Sequence, residues 1–213
     1  MKKRVLLLTL LLSLGAVPTV AQVLYSNGPT NGNTDAWNIT SGSGDIVTDS
    51  VCCRVVDPGL PLVQDITGFA FAAWLYPGDT VQTVQATLSS DPFGSGVVYF
   101  NGIVSLTQSG CGLNGFGFDI CIETGTLVAN INSGPNSYWL TLQNAVVTNG
   151  DPVYWDENSG PSSAEQNMVG TIPSESFTIY GSDVPGTTPE PGSIVLFATA
   201  AFALAGGLRG RLR

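Results

Sequence analysis

The chain has 213 residues and a formal net charge of −9, with 16 acidic residues, seven Lys and Arg residues, and no His. Arg54 is the only basic residue between Gln22 and Thr188, so this stretch repels phosphates and excludes nucleic acid and anionic lipid headgroups as partners. The absence of His removes the usual general base, the Ser-His and Cys-His nucleophile pairs and most zinc sites. Neutral sugars, cations and other proteins remain as partner classes.

The first 21 residues have the composition of a secretory signal peptide. Three basic residues at positions 2–4 precede an apolar stretch at residues 5–14, and small residues follow at 19–21, before the expected cleavage. We expect the chain to be exported and the mature protein to begin at Gln22. The signal peptide, a predicted N-terminal helix, then takes no part in the fold.

Strand patterns dominate residues 22–182, where Gly and Pro recur about every ten residues and no helical period is present. Residues 69–75 are apolar at every position, which predicts a central strand covered on both faces. In residues 116–123, Phe and Ile alternate with Gly, Asp, Cys and Glu, which predicts a strand that buries its Phe and Ile face. Further strands are predicted at residues 81–88, 97–106, 137–147 and 176–180.

Many short strands with regular turns predict an all-β domain, an antiparallel β-sandwich or jelly roll, at residues 22–182. The length of this stretch is suited to one domain with a hydrophobic core. The sequence has no internal repeat of the kind that propellers and solenoids require. Residues 183–188 are a predicted linker, and residues 189–213 form a separate C-terminal segment.

The chain has four cysteines, Cys52, Cys53, Cys111 and Cys121. An even number in an exported chain favours two disulfides over metal binding or catalysis. Because neighbouring side chains on a strand point to opposite faces, we favour one bond from the Cys52–Cys53 pair to each of Cys111 and Cys121. The alternative is a Cys111–Cys121 bridge that closes the Gly-rich loop at 110–117, with the vicinal pair bonded to itself or free.

Residues 151–160 are the candidate binding segment. They place two aromatic residues beside a group of oxygen donors: Tyr154, Trp155, Asp156, Glu157 and Asn158. The oxygen donors are suited to Ca²⁺, although their spacing does not match an EF-hand, and the aromatic rings are suited to stacking on a sugar. The third interpretation is a surface loop in which Trp155 is an inward anchor, and all three remain open.

Two carboxylate pairs offer the main route to catalysis. Asp119 with Glu123, or Asp156 with Glu157, are candidates for glycoside hydrolysis, in which one carboxyl protonates the leaving group and the other attacks or activates water. In so acidic a chain, solvated carboxylates are the default. We therefore expect no enzymatic activity and keep a carbohydrate-active enzyme as the alternative.

The C-terminal segment has three parts. In chain order they are the motif Pro189-Glu190-Pro191, an uncharged apolar run at residues 192–208, and the arginines Arg209, Arg211 and Arg213. As a helix the apolar run is about 25 Å long, just short of the hydrocarbon core of a bilayer at about 30 Å. The arginines resist transfer through hydrocarbon, so they hold this end on the cytoplasmic side.

This order of parts resembles the PEP-CTERM sorting domain of Gram-negative bacteria that make exopolysaccharide. The resemblance implies recognition by an exosortase, cleavage near Pro189-Glu190-Pro191, and passage from the inner membrane to the cell surface or extracellular space. A plain single-span anchor after a Pro-rich linker is the alternative.

The mature domain resembles exported bacterial domains called choice-of-anchor domains. The similarity is carried by residues 26–29, 68–79, 138–145 and 154–158. It implies a β-sandwich displayed outside the cell, with no agreed molecular activity. The expectation from both resemblances is a non-catalytic cell-surface or matrix protein, associated with exopolysaccharide, whose partners are the exosortase and the export machinery.

Overall fold

The computed structural model describes residues 22–51, 63–132 and 137–183. The predicted signal peptide, most of the linker, the C-terminal sorting segment, Cys52 and Cys53 lie outside the described residues. A search of the described ranges for a helical segment with the length and hydropathy of a membrane span finds none.

The described residues form twelve strands and one 3₁₀ turn at Pro92–Gly94. The strands are β1 (Gln22–Ser26), β2 (Ala36–Asn38), β3 (Val47–Val51), β4 (Val63–Leu75), β5 (Val81–Ser89), β6 (Val98–Leu113), β7 (Asp119–Asn132), β8 (Tyr138–Val147), β9 (Tyr154–Asp156), β10 (Ala164–Gln166), β11 (Gly170–Ile172) and β12 (Phe177–Asp183). Neighbouring strands pair antiparallel throughout. The predicted all-β, antiparallel class is confirmed.

The strands form one sheet in the order β1-β12-β4-β7-β6-β5-β8-β3-β10-β11, and β9 pairs with both β2 and β4. The long strand β6 has a different partner at each end. Its first part pairs with β5, up to Thr83 opposite Ser105, and its second part pairs with β7 from Leu106 opposite Gly125. The sheet therefore curls into a β-sandwich-like arrangement, with its concave face around the core.

The core brings together side chains of strands that do not pair with each other. Phe69 and Phe71 of β4 and Leu140 and Leu142 of β8 are fully or almost fully buried. Every side chain in residues 69–75 is buried, and β4 is hydrogen-bonded to β12, β7 and β9. The predicted central strand, apolar on both faces, is therefore present.

The predicted orientation of the next apolar alternation is wrong. β7 begins at Asp119, and it is Cys121 and Glu123 that are fully buried, while Ile120 and Ile122 are half-buried on the opposite face. Cys121 and Glu123 lie opposite the core residues Ala73 and Phe71 of β4, and paired residues face the same side of a sheet. The loop at residues 28–33 lies beside this outer face and covers Ile120 in part.

Candidate functional site

Residues 154–156, expected in a loop, form the short strand β9 between β2 and β4. Trp155 lies opposite Trp37 on one side and Ala73 on the other, and Tyr154 lies opposite Trp74. Because side chains alternate along a strand, Trp155 enters the core, whereas Tyr154 and Asp156 lie on the outer face of the sheet.

Trp155 is an internal anchor in this structure. It is fully buried, its indole N–H donates a 2.9 Å hydrogen bond to the carbonyl of Ser176, and its ring meets Phe71 and Phe177 edge-on at 6.1 and 5.9 Å. A ring enclosed in this way has no face open to a sugar. Of the three interpretations of residues 151–160, this position matches the one in which Trp155 is an inward anchor, although Trp155 lies in a strand and not in a loop.

Asp156 fastens the loop at residues 28–33 to the sheet. Its Oδ1 accepts hydrogen bonds from the main-chain N–H of Gly32 at 2.8 Å and from the indole N–H of Trp74 at 2.6 Å. Its Oδ2 accepts one from the main-chain N–H of Asn31 at 2.8 Å. Burial raises the pKa of Asp156, and these hydrogen bonds partly oppose the rise. Both oxygens are thus engaged in holding this loop.

Asn158 and Glu157 also bond to neighbouring strands and loops. The Nδ2 of Asn158 donates to the carbonyl of Asn27 at 2.7 Å, and its Oδ1 accepts from Ser174 Oγ at 2.9 Å. Oε2 of Glu157 accepts from the indole N–H of Trp37 at 3.3 Å. Among the described residues, no group of three or more Cys, Asp and Glu side chains is placed to hold a metal ion.

A buried polar cluster that the sequence did not indicate lies beside this segment. Asp49 Oδ2 accepts hydrogen bonds from the main-chain N–H of Glu175 at 2.7 Å and from Asn27 Nδ2 at 3.2 Å. Asp49 Oδ1 and both carboxyl oxygens of Glu175 are buried without a hydrogen-bond partner. Burial raises the pKa of Asp49 to about 7 and that of Glu175 well above its ordinary value. Both carboxyls are therefore held in conditions that favour the protonated form.

Neither candidate carboxylate pair presents two carboxyl groups to solvent. Glu123 is fully buried, its oxygens have no hydrogen-bond partner, and desolvation raises its pKa to about 7. Its partner Asp119 is half-buried and accepts a 3.3 Å hydrogen bond from the N–H of Gly78. In the second pair, Asp156 is fully buried.

Five aromatic rings gather at one end of β4 and β7, and we call them the aromatic platform: Trp74, Tyr76, Phe116, Phe118 and Tyr154. The ring of Phe118 lies 5.1 Å from Tyr76, 5.8 Å from Trp74 and 6.0 Å from Tyr154, measured between centroids. Phe116 is stacked on Trp74 at 5.7 Å. Phe116 is 61% exposed and Tyr76 is 43% exposed. Of this group, only Tyr154 was indicated as a binding residue by the sequence.

The turn that carries Phe116 is held by its own hydrogen bonds. Asn114 Oδ1 accepts from the main-chain N–H of Phe116 at 3.0 Å and of Phe118 at 2.9 Å, and the N–H of Asn114 donates to the carbonyl of Phe118 at 2.8 Å. Gly117 adopts a φ of 88°, a left-handed conformation that favours glycine. The turn therefore fixes where Phe116 lies.

A disulfide between Cys111 and Cys121 closes the hairpin behind this turn, with the two Cα atoms 4.1 Å apart. The favoured pairing of Cys111 and Cys121 with Cys52 and Cys53 is therefore wrong, and the alternative bridge is the one present. The reason is a register shift between Ser109 and Gly112, which sets Cys111 opposite the inward-facing Cys121.

Three cavities border the loop at residues 28–33. The first, of about 450 Å³, lies between residues 28–30 and the strands β4 and β12. Two more lie beside the loop. One, of about 370 Å³, is bounded by residues 30–33, by Asn114 and the end of β6, and by Ile120 and Ile122. The other, of about 460 Å³, lies between residues 28–31 and 158–161. Because Asn114 also holds the turn of Phe116, the cavity of about 370 Å³ adjoins the aromatic platform.

Comparison with protein-family models, with curated proteins and with solved structures finds no match to this chain. The predicted sorting motif Pro189-Glu190-Pro191 and the arginines Arg209, Arg211 and Arg213 lie outside the described residues.

Proposed function

We propose that this chain is an exported, non-catalytic β-sandwich module that an exosortase sorts to the cell surface or extracellular matrix, where it associates with exopolysaccharide. The observation that carries the proposal is the disulfide between Cys111 and Cys121 within an antiparallel all-β domain. Structural disulfides form and persist in oxidising compartments and are rare in the cytosol. This agrees with the signal-peptide pattern at residues 1–21.

The distribution of basic residues supports the sorting step. Six of the seven Lys and Arg residues lie in the two terminal segments, three at each end. The arginines after residues 192–208 are placed to stop the chain in the inner membrane, so that a membrane-embedded exosortase meets the motif Pro189-Glu190-Pro191 from the outside. The chain is thus a membrane intermediate before it becomes an extracellular product.

The described surface supports association with a polymer that is not strongly anionic. None of the described residues is Lys or Arg, so the Coulomb attraction that drives binding to phosphate backbones is absent from this part of the chain. An acidic, Asn-, Ser- and Thr-rich surface is suited to remaining soluble within a hydrated sugar matrix.

The burial of the candidate carboxylates supports a non-catalytic role. Glycoside hydrolysis by paired carboxyls requires both groups to flank a bound sugar at about 5–9 Å. Glu123 and Asp156 are both fully buried, and Asp156 is engaged in three hydrogen bonds. Asp156 holds the loop at residues 28–33, and Glu123 lies inside the core, out of contact with any bound sugar.

Intact-mass analysis of the protein recovered from its own host tests the proposal. In a normal host we expect a product that begins at Gln22 and lacks residues 192–213, found at the surface or in the medium. In a strain without the exosortase, and in a variant with Ala at positions 189–191, we expect those residues to be retained. A full-length product that is soluble in the cytosol would disprove export and sorting together.

A further inference from the structure

We propose that the aromatic platform and the adjoining cavity of about 370 Å³ form the binding site for a neutral polysaccharide chain. The inference rests on the proposed function, because it names the class of matrix polymer that the exported domain contacts. It differs from the sequence-based hypothesis in its residues, since Tyr76 and Phe116 form the contact surface in place of Trp155.

The exposed rings supply the apolar contact. Phe116 and Tyr76 are 61% and 43% exposed, although large aromatic side chains are usually buried for much of their area. Phe116 stacks on Trp74, with 21° between the ring planes, so its orientation is set from below while its outer part stays in solvent. The C–H face of a sugar ring packs against such an aromatic plane.

The rings are held in place before any ligand arrives. Asn114 fixes the turn of Phe116 through two main-chain hydrogen bonds, and the Cys111–Cys121 disulfide closes the hairpin behind it. On the other side, Asp119 Oδ2 accepts from the N–H of Gly78 and ties the turn after Tyr76 to β7. A site that is already ordered loses little conformational entropy when it binds.

The cavity beside the rings supplies polar groups. Asn31, Asn33 and Asn114 line it, and amide groups can bond to sugar hydroxyls. Oδ1 of Asn114 is already engaged by the turn of Phe116, so the side-chain oxygens of Asn31 and Asn33 are the acceptors that remain for a ligand. Half-buried Ile120 and Ile122 form its apolar floor. A cavity of this volume, with an apolar floor and a few polar groups, is within the size range of small-molecule sites.

The charges favour a neutral chain over an acidic one. The described residues include no Lys or Arg to pair with uronate or sulfate groups, and Asp119 lies next to the platform. An anionic polymer would therefore meet repulsion without any compensating ion pair. A second copy of this chain, the other possible occupant, carries the same acidic surface.

Affinity electrophoresis through gels that contain polysaccharide tests the proposal. The sample is tagged protein isolated from its own host, from whichever compartment it occupies, and the gels contain neutral glucans, mannans, xylans or galactans. Hydroxyethylcellulose and carboxymethylcellulose form a pair that differs mainly in charge. We expect retardation by one or more neutral polymers and none by carboxymethylcellulose.

Substitutions at the two exposed rings identify the site. We expect Phe116→Leu and Tyr76→Leu to weaken binding by about three- to tenfold, because leucine keeps apolar bulk but loses the flat ring. Phe116→Tyr and Tyr76→Phe keep the ring and should bind as the native protein does. Ile103→Ala, at a position 78% exposed on β6 outside the platform, is the control and should change nothing.

The proposal is overturned if no neutral polysaccharide retards the protein, or if the leucine variants bind as well as the native protein. It is also overturned if sedimentation shows a dimer that dissociates in Phe116→Leu, because the platform would then contact a second copy. Correct processing without binding removes this inference and leaves the export proposal standing. If the protein is unprocessed and cytosolic but still binds neutral polysaccharide, the export proposal is removed and this inference stands.

Discussion

The main-chain N–H of Glu175 donates a 2.7 Å hydrogen bond to the side chain of Asp49, and this bond joins the two ends of the curled sheet. Asp49 lies in β3, near one end of the strand order, and Glu175 lies two residues before β12, near the other end. Asn27, which follows β1, donates to both, to Asp49 Oδ2 at 3.2 Å and to the carbonyl of Glu175 at 2.7 Å. A buried polar cluster thus connects strands that do not pair with each other.

Stability should fall as this cluster loses its protons. Burial raises the pKa of Asp49 to about 7 and that of Glu175 well above its ordinary value, and Asp35, Asp156 and Glu157 add nearby negative charge around Glu175. The folded state therefore keeps protons that the unfolded chain releases at about pH 4. The free energy of unfolding should be highest below about pH 4 and fall as pH rises from about 4 to about 7.

Asp49→Asn tests the cluster, because asparagine keeps an acceptor for the N–H of Glu175 and carries no charge. At pH 7.5 we expect the variant to melt at least about 4 °C above the native protein, and near pH 4 we expect no gain. Thermal melts monitored by circular dichroism measure this, with exposed Asp91→Asn as the control. Equal destabilisation at both pH values would show that Asp49 is not protonated in the fold.

Substitution of Trp155 should affect stability and leave binding intact. Trp155→Ala should lower the free energy of unfolding by about 3–5 kcal/mol, because it leaves a large cavity between Phe71 and Phe177. Trp155→Phe should cost less, since the ring contacts remain and the hydrogen bond to Ser176 is lost. Urea unfolding gives both values. If Trp155→Phe abolished polysaccharide retardation in a folded protein, Trp155 would be a ligand contact after all.

The loop at residues 28–33 should loosen when Asp156 is replaced. Asp156→Ala leaves the N–H groups of Asn31, Gly32 and Trp74 without their acceptor, which should cost about 2–4 kcal/mol. Hydrogen exchange at Asn31 and Gly32 should accelerate in the variant. Exposed Asp35→Ala is the matched control, because the side chain of Asp35 accepts from the adjacent N–H of Ala36 and contacts none of the three donors that Asp156 holds. Unchanged exchange in Asp156→Ala would mean that the loop is held by other contacts.

The sequence was sufficient for the fold class and for the central strand, because a run apolar at every position needs cover on both faces. The sequence was insufficient to predict which face of β7 is buried. Alternation shows that two faces differ and does not show which is inside, and here the buried face carries Cys121 and Glu123. A buried carboxyl is unusual enough that any pattern-based assignment would place Glu123 in solvent.

Sequence patterns were also insufficient to predict the aromatic platform. The segment with Tyr154 and Trp155 was found from its composition, yet only Tyr154 joins the aromatic platform. Tyr76 and Phe116 approach it from two other turns, through pairing of β4 with β7 and of β6 with β7. The rings of Tyr76 and Tyr154 are close together only because strands distant in sequence pair with each other. No short stretch of sequence indicates such a contact. The Asn114 turn, with its Asn-Gly-Phe-Gly sequence, was the available local signal for an exposed ring.

Loss of the Cys111–Cys121 disulfide should weaken both the fold and the binding site. The bond closes a loop with a sequence separation of 10, for which chain entropy predicts a contribution of about 2–3 kcal/mol. The double variant Cys111→Ser with Cys121→Ser should lose that amount in urea unfolding. Its binding to neutral polysaccharide should also fall, because the turn of Phe116 is no longer closed from behind.

Peptide mapping under non-reducing conditions decides the pairing itself. We expect one linked peptide pair that contains Cys111 and Cys121, which leaves Cys52 and Cys53 to bond to each other or to remain free thiols. A peptide that links Cys121 to Cys52 or Cys53 would contradict the structure at this hairpin. It would also remove the closure on which the ordering of Phe116 depends, and unreduced protein should then bind polysaccharide no better than the double serine variant.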